Sequence, residues 1–69
     1  MFQTDFLNSL TRIEAEFREM PGMQLTERQM RRMWGLDDQT CTAIVRMLLI
    51  RGVLRETQGR TYALAATSR

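Results

Sequence analysis

Apolar side chains recur at intervals of four, three, four and three residues near the start of the chain. They predict one stripe of a helix over residues 4–20, formed by Phe6, Leu10, Ile13, Phe17 and Met20. Phe2 extends the stripe, and Pro21 and Gly22 end the helix. The intervals also match the 3.5-residue repeat of a two-helix seam. The stripe therefore packs on the domain's own helices, forms an interface with a second copy through Phe6, Leu10, Ile13 and Phe17, or does both.

A second, shorter helix is predicted over residues 27–34. Thr26 and Gln29 have the spacing of a capping box, in which the two side chains satisfy exposed backbone N–H groups reciprocally. Leu25 and Met30 have the spacing of a hydrophobic staple around that cap. The apolar positions of this helix are Met30, Met33 and Trp34. Trp34 continues the apolar face, so we interpret it as a core anchor.

The third helix is predicted over residues 38–51. Gly35 supplies the preceding turn, Asp37 is a suitable N-cap, and Gly52 suits the left-handed conformation that ends many helices. Leu36 and Cys41 again have the spacing of a staple. One stripe of this helix is expected to face the core: Cys41, Ile44, Val45 and Leu48. This places the single cysteine in the core.

Beyond Gly52 the pattern of apolar and polar residues changes from a helical repeat to alternation. Residues 53–56 and 60–64 are two β-prone runs around the Thr57-Gln58-Gly59 turn, and they predict a hairpin. Leu54, Tyr62 and Leu64 are expected to cover the helices, which leaves Arg55 and Arg60 near the exposed tip. Residues 65–69 are expected to fray. Together the patterns predict one domain, with a helix and turn at 1–22, two helices at 23–52 and a hairpin at 53–64.

Composition narrows the function classes. The 69 residues contain one cysteine and no histidine, so no disulfide framework or cysteine-histidine metal site is expected. No nucleophile-base pair or glycine-rich phosphate loop is present, and we expect neither enzymatic activity nor a cofactor. No leader and no apolar run of about 20 residues is found, which favours a cytoplasmic location. Eight of the ten arginines but three of the eight acids follow residue 27, so the second part of the chain suits a polyanion.

The order of these elements resembles the winged helix-turn-helix DNA-binding family, as found in small bacterial regulators. The resemblance covers residues 25–64. It is carried by LTERQMRRMWGLDDQTCTAIVRMLLIRGVLR, in which Gly35, Leu36 and Asp37 form the turn and Gly52 precedes the first hairpin strand. It implies an α+β winged helix-turn-helix fold with three helices and a C-terminal hairpin, the wing. It also implies a DNA-binding transcriptional regulator, expected as a homodimer, with the third helix in the major groove of double-stranded DNA.

Within that interpretation, helical phase assigns roles to individual side chains. A step of about 100° per residue places four residues away from the core stripe as base-facing candidates: Gln39, Thr42, Ala43 and Arg46. The phosphate-facing candidates are the arginines of the second helix and the hairpin: Arg28, Arg31, Arg32, Arg55 and Arg60. The acidic start of the third helix, Asp37 and Asp38, opposes close approach to phosphates.

An alternative function follows from apolar residues outside the inward stripe of the third helix. Met47, Leu49 and Ile50 have this placement, and Ile50 lies about 180° from the stripe. Exposed apolar side chains in so short a chain indicate a dimer or partner interface. The same fold could therefore act as a protein-interaction or dimerisation module without binding DNA.

Overall fold

The computed structural model describes residues 2–65, with side chains from residue 6 onward. Three helices are present: α1 (Phe2–Glu19), α2 (Glu27–Trp34) and α3 (Asp38–Ile50). Three short strands accompany them: β1 (Gln24–Thr26), β2 (Leu54–Thr57) and β3 (Thr61–Leu64). The predicted α+β fold, three helices followed by a C-terminal hairpin in a winged-helix arrangement, is confirmed.

The sheet contains one strand more than the sequence predicted. β3 lies in the centre and pairs antiparallel with both β1 and β2. Leu25 of β1 lies opposite Tyr62 of β3, which ties the chain before α2 to the hairpin. No local pattern marks β1, because three residues are too few for alternation to be visible and its partner lies far along the chain.

The stripe of α1 packs inside its own domain. Leu10, Ile13 and Phe17 are at most 4% exposed, and Phe6 is partly buried against the same core. The ring of Phe17 lies 6.2 Å from that of Trp34 between centroids. These side chains are covered by the domain's own core, so the packing of the stripe on the other helices is confirmed, whereas an additional seam with a second copy stays a prediction. At the C-terminal end of the stripe, Met20 is exposed, because α1 ends at Glu19. At the N-terminal end, the Phe2 side chain lies outside the described residues.

The predicted capping of α2 is confirmed. The Gln29 amide N–H donates to the Thr26 hydroxyl at 3.1 Å, and the Thr26 N–H donates to the Gln29 side-chain oxygen at 2.8 Å. Leu25 and Met30 are both buried in the core, as a staple requires. Met33 was expected on the apolar face but is 54% exposed, because the short helix buries only Met30 completely and Trp34 in part.

The inward stripe of α3 is confirmed, since Cys41, Ile44, Val45 and Leu48 are all at most 2% exposed. Gly52 has a φ of +77°, and its N–H donates to Leu49 while the Val53 N–H donates to Leu48. This hydrogen-bond pair is a Schellman motif, which turns the chain from the helix into the hairpin. Asp37 has the extended backbone of an N-cap, but its carboxylate makes no capping hydrogen bond within the described helix.

The hairpin differs from the prediction at its tip and at its end. Arg60 belongs to the turn Gln58–Arg60, with a φ of +60°, and not to the second strand. At the other end, the Ala65 N–H donates to the Val53 carbonyl at 2.8 Å, so the pairing extends into the segment that was expected to fray. Residues 66–69 lie outside the described residues. Over residues 2–65 no helix is both long and apolar enough to cross a membrane.

Candidate nucleic-acid interface

All four base-facing candidates lie together on the outer face of α3. The core stripe fixes the rotation of this helix, and Gln39, Thr42, Ala43 and Arg46 are exposed on the side away from it. The helical phase read from the sequence therefore places these side chains correctly. A Gln and an Arg on such a face have the donor and acceptor groups that pair with adenine and guanine edges.

Neighbouring hollows join this face to the tip of the hairpin. Thr42 and Arg46 line both an outer hollow of α3 and a smaller one beside it. The smaller hollow shares Glu27 and Tyr62 with a third, of about 570 Å³, that Arg28 and Arg60 also line. We call this continuous band of residues, from Gln39 to the hairpin turn, the α3–hairpin surface.

The structure brings only two of the five phosphate-facing candidates onto that surface. Arg28, at the start of α2, and Arg60, in the hairpin turn, line the same hollow. Arg60 is there because it belongs to the turn and not to a strand. These two guanidinium groups can therefore act on one stretch of phosphate backbone.

Arg55 lies on the opposite side of the sheet. It pairs with Ala63 of β3, as Gln24 does, so Arg55 and Gln24 project from the same sheet face and line a separate hollow. Tyr62 and Leu54 project from the other face, toward the helices, because neighbouring residues of a strand alternate. Arg55 and Arg60 are therefore both exposed near the tip, as expected, but they line separate hollows.

The remaining arginines of α2 are less available. The Arg31 guanidinium forms an ion pair with the Asp38 carboxylate at 3.0 Å. This pair joins α2 to the first turn of α3 and offsets part of the charge that Arg31 would offer a phosphate. Arg32 is exposed on α2 but lines none of the four hollows described above.

Carboxylates lie within the α3–hairpin surface, and two of them, Glu27 and Glu56, have no role predicted from the sequence. Glu27 accepts a hydrogen bond from the Thr42 hydroxyl at 3.2 Å, and Glu56 lines the hollow of Arg28 and Arg60. In the sequence, Glu27 has the position of an acidic residue in the first turn of a helix, where it is favoured by the helix dipole. No sequence pattern therefore indicates that it belongs to a site. The alternation of β2 was the available signal for Glu56, because it places that residue on the face of Tyr62.

The C-terminal half of the outer face is apolar. Met47 is 40% and Ile50 is 74% exposed, and with Ala43 they line a hollow of about 520 Å³. Leu49, the third apolar interface candidate, is partly buried against the domain's own core and does not line this hollow. We call Ala43, Met47 and Ile50 the apolar patch.

Three ionisable groups in or near the α3–hairpin surface have shifted pKa values, and burial raises that of Tyr62. A hydrogen bond with the Thr40 side chain lowers the pKa of Asp37, which keeps this carboxyl charged at the start of α3. Burial raises the pKa of the Cys41 thiol, and the nearby Glu27 carboxylate raises it further. Among the described residues, no group of three or more acidic or cysteine side chains is placed to hold a metal ion.

Comparison of the chain with protein-family models, curated proteins and solved structures found no match.

Proposed function

We propose that this protein is a small DNA-binding regulator of transcription that acts in the cytoplasm. In this proposal α3 enters the major groove of double-stranded DNA, and Gln39, Ala43 and Arg46 meet base edges. Arg28 and Arg60 hold the phosphate backbone beside the groove. The function is binding, without catalysis and without a cofactor.

The single observation that carries the proposal is the continuity of the α3–hairpin surface. Arg46 on α3 and Arg60 in the hairpin turn are linked by side chains shared between adjacent hollows. A helix that reads base edges needs flanking cations to fix its register on the duplex, and this surface supplies both in one band. The excess of arginine over acids after residue 27 supports the same interpretation.

The test is a titration of the protein against a labelled random-sequence duplex at about 50 and 200 mM salt, followed by fluorescence anisotropy. Two phosphate contacts, by Arg28 and Arg60, predict a log-log salt slope of about −1.8, and hence an affinity about twelvefold lower at the higher salt. Arg46→Ala should weaken binding, whereas Arg12→Ala, which removes an exposed arginine of α1, should not. Absence of binding at the lower salt would refute the proposed function.

A second candidate function is docking of a protein through α3. The observation in its favour is the exposed apolar patch, since Ile50 contributes nothing to phosphate binding and faces away from the core. Apolar docking responds weakly to salt, so the same titration, repeated with a protein ligand, distinguishes the two classes.

A further inference from the structure

The middle of the outer face of α3 is apolar. Residues 38–50 contain one arginine and one amide side chain. The hydroxyl of Thr42 already donates to the Glu27 carboxylate at 3.2 Å, so Thr42 presents mainly its methyl group to a ligand. This methyl group lines the same hollow as the side chains of Ala43 and Met47.

We propose that this face recognises the 5-methyl groups of thymine, so that the protein prefers A·T base pairs. The inference rests on the proposed function, because it states what α3 reads once it lies in the major groove. Ala43 and Met47 each cover one thymine methyl group, and Gln39 pairs with adenine. The thymine methyl is the apolar group that base pairs present in the major groove, so it is what an apolar side chain there can match.

The position of the patch makes DNA its occupant. Thr42 and Arg46 line both the hollow of the apolar patch and the hollow beside it. That second hollow adjoins the one that Arg28 and Arg60 line, through residues that the two share. A duplex whose phosphates are held by these two arginines therefore also lies against the patch.

A G·C pair is a poorer partner for the same side chains. Its major-groove edge presents the N7 and O6 acceptors of guanine and the N4 amino donor of cytosine. Against Ala43 and Met47 these polar groups lose water and gain no hydrogen bond, which is unfavourable. The preference for A·T pairs therefore arises both from the buried methyl group and from the penalty on the polar edge.

The acid beside the patch is engaged elsewhere. Asp38 lines the same hollow, and its carboxylate forms an ion pair with the Arg31 guanidinium at 3.0 Å. A free carboxylate in a major groove accepts a hydrogen bond from cytosine N4 and so favours G·C pairs. The ion pair opposes that contact and leaves the apolar groups to decide the preference.

The spacing along α3 suits a row of base pairs. Gln39, Ala43 and Met47 follow one another at intervals of four residues, so they lie on one side of the helix, about 6 Å apart along its axis. Base pairs of B-DNA are about 3.4 Å apart, so each interval spans about two pairs. Gln39 is in the first turn, the part of a recognition helix that contacts base edges. Ile50, at the other end of α3, is not needed for this contact.

The test measures binding of the whole chain to four labelled duplexes of equal length, by fluorescence anisotropy at about 50 mM salt. The first contains only A·T pairs, and the second has uracil in place of thymine, which deletes the methyl groups and keeps every hydrogen-bonding group. The third contains only G·C pairs, and the fourth has 5-methylcytosine in place of cytosine, which adds a methyl group. One buried methyl group contributes about fourfold in affinity, so uracil should weaken binding about fifteenfold. 5-Methylcytosine should strengthen binding relative to cytosine.

A pair of variants locates the effect on the protein. Met47→Gln replaces an apolar side chain by a polar one of similar length and should reduce the ratio of A·T to A·U affinity from about fifteenfold to about fourfold. Met33→Gln is the same change at an exposed methionine of α2 and should keep the full ratio. Circular dichroism checks that both variants are folded. Equal ratios in the two folded variants would exclude Met47 from the contact.

The duplexes also separate this inference from the proposed function. An A·T preference that survives the replacement of thymine by uracil would overturn the inference, because the shape of the duplex and not the methyl group would be its cause. Equal binding to all four duplexes would overturn it too, while DNA binding itself would stand. Absence of binding to every duplex would refute the proposed function and this step together.

Discussion

The Thr42 hydroxyl on the outer face of α3 donates a 3.2 Å hydrogen bond to the Glu27 carboxylate at the start of α2. The bond holds an acid in the middle of the α3–hairpin surface, between Arg46 on one side and Arg28 on the other. It also occupies the polar atom of Thr42, so that this residue offers a duplex mainly its methyl group. Glu27 therefore opposes the binding of a polyanion there.

Glu27→Gln should increase the affinity for duplex DNA about fivefold at low salt, because it removes a negative charge close to the phosphates. The glutamine oxygen can still accept the Thr42 hydrogen bond, so the contact between α2 and α3 is kept. Anisotropy titrations of both proteins measure the change. Thr42→Val is the matched control, since it removes the hydrogen bond and leaves the charge, and it should produce no increase. A large loss of affinity in the folded E27Q variant would instead show that Glu27 itself contacts DNA.

The separation of the hairpin arginines predicts different salt responses for two pairs of residues. Arg28→Ala with Arg60→Ala removes the two guanidinium groups of the shared hollow and should reduce the log-log salt slope by about 1.8. Arg32→Ala with Arg55→Ala removes the same net charge from places outside that surface and should change the slope little. Equal slopes for the two double variants would show that net charge, and not the geometry of the surface, governs binding.

The sequence was a good guide wherever a local rule decided the structure. Helical phase placed Ile44 in the core and Gln39 outside it, and the Thr26 capping box set the start of α2. It was a poor guide to contacts between distant segments. No local signature marks β1, because its partner strand begins at Thr61, 35 residues after β1 ends. The contact of Glu27 with Thr42 has no local signature either.

The arginines show the same limit within one hairpin. Alternation along β2 could have separated Arg55 from the core-facing residues, but the position of Arg60 depended on the turn. Its φ of +60° is uncommon for a residue other than glycine, so the sequence favoured a strand there. Five arginines that are equivalent by composition therefore divide into two on the surface, one in an ion pair and two elsewhere.

Gly52→Ala should destabilise the domain by about 1–2 kcal/mol, because a side chain disfavours the left-handed conformation that the Schellman motif requires. The cost is conformational, since a Cβ at this position would meet no atom within 4 Å. Gly22→Ala is the matched control: it has equally open space and no positive φ, and it should be nearly silent. Urea unfolding followed by the fluorescence of Trp34 measures both. Equal effects of the two substitutions would remove the left-handed constraint as the explanation.

The buried Cys41 thiol should make the folding stability of the domain depend on pH in the alkaline range. Its side chain is fully buried, its thiol lies 3.6 Å from the Glu27 carbonyl oxygen, and burial raises its pKa above the ordinary thiol value of about 8.5. A group whose pKa is higher in the folded than in the unfolded state favours folding while it is protonated. The stabilisation is therefore complete below about pH 8.5 and is lost progressively as the pH rises toward the folded-state pKa.

The measurement is urea unfolding between about pH 7.5 and 9.5, a window below the titration of Tyr62, whose pKa burial also raises. The wild type should lose stability across this window. Cys41→Ala should be less stable at every pH, because it leaves a cavity, but its stability should change much less with pH. Alkylation of the native thiol should be slow and should accelerate with urea, because the thiolate forms only when the core opens. Fast alkylation without urea, or an equal pH dependence in the alanine variant, would contradict the buried protonated thiol.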